Sequence, residues 1–126
     1  MSFFNLSRLF KSFRYALKGV VEVFKTEQNM RFHLLSALLV LILMFYFDTT
    51  GIEKAVLVLV IVLVLLSETI NSVLERIVDV IRPRLSAEAK AIKDIMAAMV
   101  LVSAVGAVIV GLIIFVPKLF DKFSLL

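Results

Sequence analysis

Glu68, Asn71, Glu75 and Asp79 follow one another at intervals of three, four and four residues, directly after the uncharged run 55–66. On a helix of 3.6 residues per turn they fall within roughly 80° of arc, while Ile70, Val73, Leu74, Ile77 and Val78 face elsewhere. An apolar, membrane-type helix therefore continues into a segment carrying one acidic stripe. Ionisable groups at membrane depth cost about 3 kcal/mol or more each unless they face protein, water or a metal, so the stripe is a candidate functional site. Carboxylates, an amide and a lysine at one membrane face suit divalent-cation and phosphate chemistry. Mg²⁺ takes oxygen ligands, typically one or two carboxylates together with substrate phosphates. Phosphoryl transfer then needs charge neutralisation, in-line positioning and a base for the attacking hydroxyl. An ion path or a polar helix-assembly seam would draw on the same residue types. On the residues alone the two readings stand level.

The composition says what must position these groups. The 126 residues are 62% apolar, and the mean hydropathy of +1.07 exceeds what a soluble domain tolerates. Soluble cores bury apolar residues as stripes, whereas here they form nearly unbroken runs. An all-α integral membrane protein of one domain (1–126) is expected. There is no cysteine, which excludes disulfides and thiolate metal sites, and the single histidine, His33, argues against a histidine-based zinc site. The net charge of +4 is not a nucleic-acid signature, because most basic residues flank hydrophobic runs. No Gly-rich phosphate loop or protein-kinase signature is present. No cleavable signal is evident, since residues 1–26 lack a compact apolar core before a small-residue cleavage site.

Leu6, Leu9, Phe10, Phe13, Leu17, Val20 and Phe24 recur at three- and four-residue intervals, with Arg8, Lys11, Arg14, Lys18 and Lys25 mostly off that face. The pattern predicts an amphipathic helix lying on the membrane surface, within 6–30, which Gly19 bends or divides. As a plain surface anchor it needs no chemistry, and Glu27 reads on its own as a solvated helix-end carboxylate. Three helices containing membrane spans are expected over 32–47, 54–81 and 87–117. The first is short for a hydrocarbon core of ~30 Å. Asp48-Thr49-Thr50-Gly51 reads as a tight turn. Arg82-Pro83-Arg84 interrupts the second helix. Ser86 is an expected N-cap with Glu88 in the following first turn. Ala97, Ala98, Ser103, Ala104, Gly106, Ala107 and Gly111 offer small surfaces for helix packing, and Pro117 and Lys118 close the last span.

Lysine and arginine crowd the N-terminal segment and the second connection, whereas the first loop has only Lys54 and the tail Lys118 and Lys122. The positive-inside bias places the N-terminus and the second connection in the cytoplasm. Glu27, the lower part of the acidic stripe and Lys93-Asp94 then converge on the cytoplasmic face.

Glu68-x-x-Asn71-Ser72-x-x-Glu75-x-x-x-Asp79, followed by Lys93-Asp94-x-x-Ala97-Ala98, resembles the signature of the prokaryotic diacylglycerol kinase family. That family of small three-span lipid kinases includes undecaprenol kinases. Arg8, Tyr15 with Gly19, and Glu27 ahead of Arg31 fit the same pattern, which runs from Arg8 to about Pro117. The resemblance implies a homotrimer in the bacterial cytoplasmic (inner) membrane, with active sites shared between subunits. Its substrates would be ATP and a membrane lipid, diacylglycerol or undecaprenol, and its cofactor Mg²⁺. Glu68 would be the general base and Glu27 and Glu75 the magnesium ligands. Arg8, Tyr15, Asn71, Lys93 and Asp94 would hold the nucleotide, with Asp79 supporting the polar cluster. Thr26-Glu27-Gln28-Asn29-Met30-Arg31-Phe32-His33 resembles the form common among undecaprenol kinases. One departure stands out: where the family commonly has a Glu-Tyr-His run that contributes to nucleotide binding, this chain reads Arg84-Leu85-Ser86. Two other readings remain. A small transporter or channel would place charge at midplane and carry inverted repeats, which are not seen. A catalytically impaired structural homologue would follow from the altered nucleotide run.

Overall fold

The computed structural model describes residues 5–81 and 86–124, so Arg84-Leu85 of the departing run, like Arg82-Pro83, lies outside the described residues. Every regular element among them is an α-helix: α1 (Leu6–Thr26), α2 (Gln28–Tyr46), α3 (Gly51–Ile81) and α4 (Ala87–Ser124). Each begins and ends for a local reason. Asn5 caps α1, its side-chain oxygen accepting from the Arg8 amide at 3.2 Å. The helix runs through Gly19 without interruption and ends at Glu27, whose extended backbone (φ −103°, ψ 116°) stops α1 and starts α2. The expected segment 6–30 is therefore two helices meeting at Glu27, and α2 gains a turn at its N-terminal end.

The turn after α2 is made by Asp48, the described non-glycine residue with positive φ (46°). Asp tolerates this left-handed conformation better than most side chains. Thr49 Oγ1 donates to the Met44 carbonyl at 2.9 Å, satisfying an acceptor that the end of the helix leaves open. Thr50 and Glu53 then form a reciprocal cap. The Thr50 amide donates to Glu53 Oε2 at 2.7 Å and the Glu53 amide to Thr50 Oγ1 at 3.3 Å. Ser86 caps α4 by accepting from the Ala89 amide at 3.1 Å.

α4 does not stop at Pro117. Proline removes its own amide donor and crowds the carbonyl four residues back, which predicts an end there. The helix continues to Ser124 with Pro117 inside it. Beyond the proline it is held from outside: Lys118 Nζ lies 3.0 Å from Glu53 Oε2, and Lys122 Nζ lies 3.7 Å from the Tyr46 ring centre.

Three of the helices are long and apolar enough to cross a membrane: Gln28–Tyr46, Gly51–Ile81 and Ala87–Ser124. At 1.5 Å per residue they measure ~28, ~46 and ~57 Å. α3 is central, packing against α4 most extensively and against α2 less so. Met44, Leu57 and Ile114 join α2, α3 and α4 towards the end that carries the Asp48 turn. Near the middle of both helices the Ser67 and Ser103 hydroxyls meet at 2.7 Å across the α3–α4 interface. α1 is attached lightly, Val23 being its buried residue. Ser67→Ala and Ser103→Ala should each loosen the α3–α4 pair. A double-mutant cycle by denaturant unfolding in mild detergent should give a coupling of about 0.5–1.5 kcal/mol, and strictly additive losses would show the hydroxyls act separately.

Candidate active site

On the inward face of α3, Ser67, Glu68, Asn71 and Ser72 are all buried, Glu68 and Ser72 to 1% exposure. Helical spacing puts them there, since positions 68, 71, 72 and 75 stack on one side. The Ser72 hydroxyl donates to the Glu68 carbonyl at 3.0 Å, so it consumes no capacity of the Glu68 carboxylate. Asn71 Nδ2 donates to Glu75 Oε1 at 3.3 Å and holds that carboxylate along the stripe. Two buried acceptors are left without a protein partner: Glu68 Oε2 and Asn71 Oδ1. Leaving such atoms unpaired costs about 1–3 kcal/mol each, and more when charged. They line a cavity of about 320 Å³ together with Glu75 and, from α2, Asn29, Phe32 and His33, while Ala97, Val100, Leu101 and Ala104 of α4 form the opposite wall.

The helix break at Glu27 brings a third carboxylate up to α3, beside the residue that follows Glu75. Glu27 itself lies 3.7 Å from the Arg76 guanidinium, which also donates to Thr26 Oγ1 at 2.6 Å. One turn past Glu75, Asp79 pairs with Lys93 at 2.5 Å, tying the end of the stripe to α4. Asp94 is exposed beside it. Arg8 and Tyr15 stand exposed on α1 and do not line the cavity. Along the axis of α1 they are ~28 Å and ~18 Å from Glu27. One chain thus gathers Glu27, Glu68, Asn71, Glu75, Asp79 and Lys93 at one end of the bundle, with Arg8 and Tyr15 set apart.

Residues 14–115 match the family model of the prokaryotic diacylglycerol kinases. The chain belongs to the prokaryotic diacylglycerol kinase family. It is 41% identical over 115 residues to the undecaprenol kinase of Bacillus subtilis (strain 168), covering 91% of this chain and 94% of that protein. It is 38% identical over 112 residues to a diacylglycerol kinase of Synechocystis, covering 88% of this chain and 64% of the relative. A diacylglycerol kinase of Haemophilus influenzae is 34% identical over 89 residues, covering 68% of this chain and 75% of the relative.

A diacylglycerol-kinase-family site is expected to work with a magnesium nucleotide, and the donors present suit that ion. They are hard carboxylate oxygens, Glu75 in the cavity lining and Glu27 beside Arg76. Among the described residues no three His, Asp or Glu side chains are grouped to hold a metal.

Asn29 and His33 also line the acidic cavity, although sequence reasoning gave neither a role in the site. The signal is the i, i+4, i+7 series Asn29, His33, Ser36, a polar line along an otherwise apolar α2. Arg76 was missed as well, because its hydrogen-bond partner Thr26 lies fifty positions away.

The open Glu68 oxygen generates a stability prediction. Glu68→Gln keeps the shape and removes a buried charge, so the folded protein should be as stable or more stable by about 1–3 kcal/mol in thermal melts in detergent. A marked loss of stability would show that the carboxylate is a structural anchor.

Proposed function

We infer that the chain is an ATP-dependent lipid kinase that moves the γ-phosphoryl group of MgATP to a membrane lipid hydroxyl, with Glu68 as general base. The observation that carries this reading is the buried Glu68 carboxylate, its Oε2 open towards a cavity that Asn71 and Glu75 share. Glu68 is the most deeply placed of the three, one turn inward of Asn71 and two turns inward of Glu75. That depth suits the hydroxyl of an amphiphile held in the bilayer. As the oxygen–phosphorus bond forms, the hydroxyl proton passes to Glu68 Oε2, and the bond from the γ-phosphorus to the β–γ bridging oxygen breaks to release ADP. Asn71, Lys93 and Asp94 hold the nucleotide, and Asp79 keeps Lys93 in place. Glu27 and Glu75 would hold the Mg²⁺, which supplies charge neutralisation to the phosphates.

Arg8 and Tyr15 complete the nucleotide site from a neighbouring subunit in a homotrimer. Their distance from Glu27 along a straight α1 supports this, as does the large apolar surface that α4 leaves uncovered. The cytoplasmic face of a bacterial inner membrane supplies the ATP, and the basic N-terminal segment and second connection support that orientation. Of the two acceptors, undecaprenol is favoured, since the match to the Bacillus subtilis undecaprenol kinase extends over 94% of that protein.

Purified protein, ATP and Mg²⁺ offered undecaprenol and diacylglycerol in parallel should phosphorylate the first faster. Transfer to neither lipid would end the kinase reading. Glu68→Gln should lower kcat by about 10²–10⁴ with the KM for ATP nearly unchanged, whereas Asn71→Ala should raise that KM as well. Normal turnover of Glu68→Gln at saturating ATP would make another group the base. Because the chain is free of cysteine, single cysteines at Ser86 and Thr50 report topology directly. The first should label from the cytoplasm and the second from outside, and the reverse pattern would cut the site off from ATP.

A further inference from the structure

We propose that Arg76 is a positioning residue that fixes the α1–α2 corner, and with it the Glu27 carboxylate, against the acidic stripe of α3. Its consequence for catalysis rests on the kinase reading above, whereas its mechanical part does not. Glu27 is the single non-helical residue between α1 and α2, and its side chain caps neither helix. A one-residue joint is a swivel, because two backbone dihedrals decide where α1 points and where the carboxylate sits. Packing does little to hold it, since α1 contributes Val23 to the buried interior.

What grips the joint is Arg76. Its Nη2 donates to Thr26 Oγ1 at 2.6 Å and lies 3.7 Å from Glu27 Oε1. Thr26 is suited to be the point of attachment. Its hydroxyl proton goes to the Glu22 carbonyl at 3.0 Å, locking the side chain onto the last turn of α1, and its lone pairs stay free to accept from the guanidinium. Arg76 follows Glu75 immediately, so it leaves α3 about 100° around from the stripe and reaches α1 with its long side chain. The bond length decides between two roles for the guanidinium. Its short contact is with the hydroxyl, while the carboxylate lies beyond hydrogen-bond distance. Arg76 therefore holds the corner without a hydrogen bond to Glu27, whose Oε1 has only long contacts, to Arg76 and to Thr26 Oγ1 at 3.5 Å.

Amide hydrogen exchange across residues 27–31 and the Mg²⁺ concentration for half-maximal transfer, both on the full-length protein in micelles, test this. Arg76→Gln and Thr26→Val should each speed exchange at the corner and raise the magnesium requirement about tenfold, as loss of a group supporting a metal ligand does, with the KM for lipid unchanged. The double variant should be no worse than either single one. Arg76→Lys and Thr26→Ser should keep most of the wild-type behaviour. If the guanidinium only repelled the cation, Arg76→Gln would lower the magnesium requirement and leave exchange unaltered, which overturns the proposal. Additive effects of the two substitutions would overturn it as well. Exchange is read without substrates, so a chain that proved inactive would sink the kinase reading while this test still gave its answer.

Discussion

A carboxylate excluded from water must be paired, neutralised or waiting for a ligand. Glu68 is 1% exposed and one of its oxygens has no protein partner, so the bundle around it has to tolerate an unfinished site. Much of the local architecture follows from that requirement. α3 must bury the acidic face, yet no cation from the chain may close on it. α4 therefore presents alanines and aliphatic residues to the cavity, and the nearest lysine, Lys93, is taken up by Asp79 a turn further out. The hydroxyls next to the site satisfy themselves locally: Ser72 bonds the backbone of its own helix, and Ser67 pairs with Ser103.

Three slender helices bury Glu68 and Asn71 but leave Glu75 half-buried and Asp79 exposed. α3 packs on two neighbours, and α1 hardly packs at all within one chain. The proposed trimer resolves both problems together, since neighbouring subunits would cover the apolar flanks of α4 and deliver Arg8 and Tyr15 to a nucleotide. In that scheme the weak attachment of α1 has a use, because a helix that serves another subunit must leave its own bundle.

The chemical half of the molecule was legible in the sequence because polar residues in an apolar chain are conspicuous, and their three- and four-residue spacing survives folding unchanged. Glu68, Asn71, Glu75 and Asp79 lie along one face for the same reason that they could be recognised. The helices were legible in type but less so at their ends. Helical periodicity passes straight across Glu27, so a helix end is legible there but 6–30 still reads as one surface segment, and the break into two helices emerges only in the backbone. Pro117 misled in the other direction: its local veto on helix was outweighed by Lys118 and Lys122, whose partners Glu53 and Tyr46 lie far back in the chain. Arg76 and the Ser67–Ser103 pair escaped for the same reason, since a contact between distant positions leaves no periodic trace.

The ion pairs at the two ends of α3 and α4 also make a gauge of thickness. Glu53 meets Lys118 at one end and Asp79 meets Lys93 at the other, so two antiparallel helices are riveted together at both extremities. The rivets are 25 residues apart on α4 and 26 on α3, or ~37 and ~39 Å along the axes. Neither helix can slide past the other without breaking one of them. This interval exceeds a hydrocarbon core of ~30 Å and falls within the ~40 Å that includes the headgroup layers, so a spanning pair can keep both rivets in the polar interfaces. The depth of Glu68 below the membrane surface then belongs to the riveted pair as a unit, not to α3 alone.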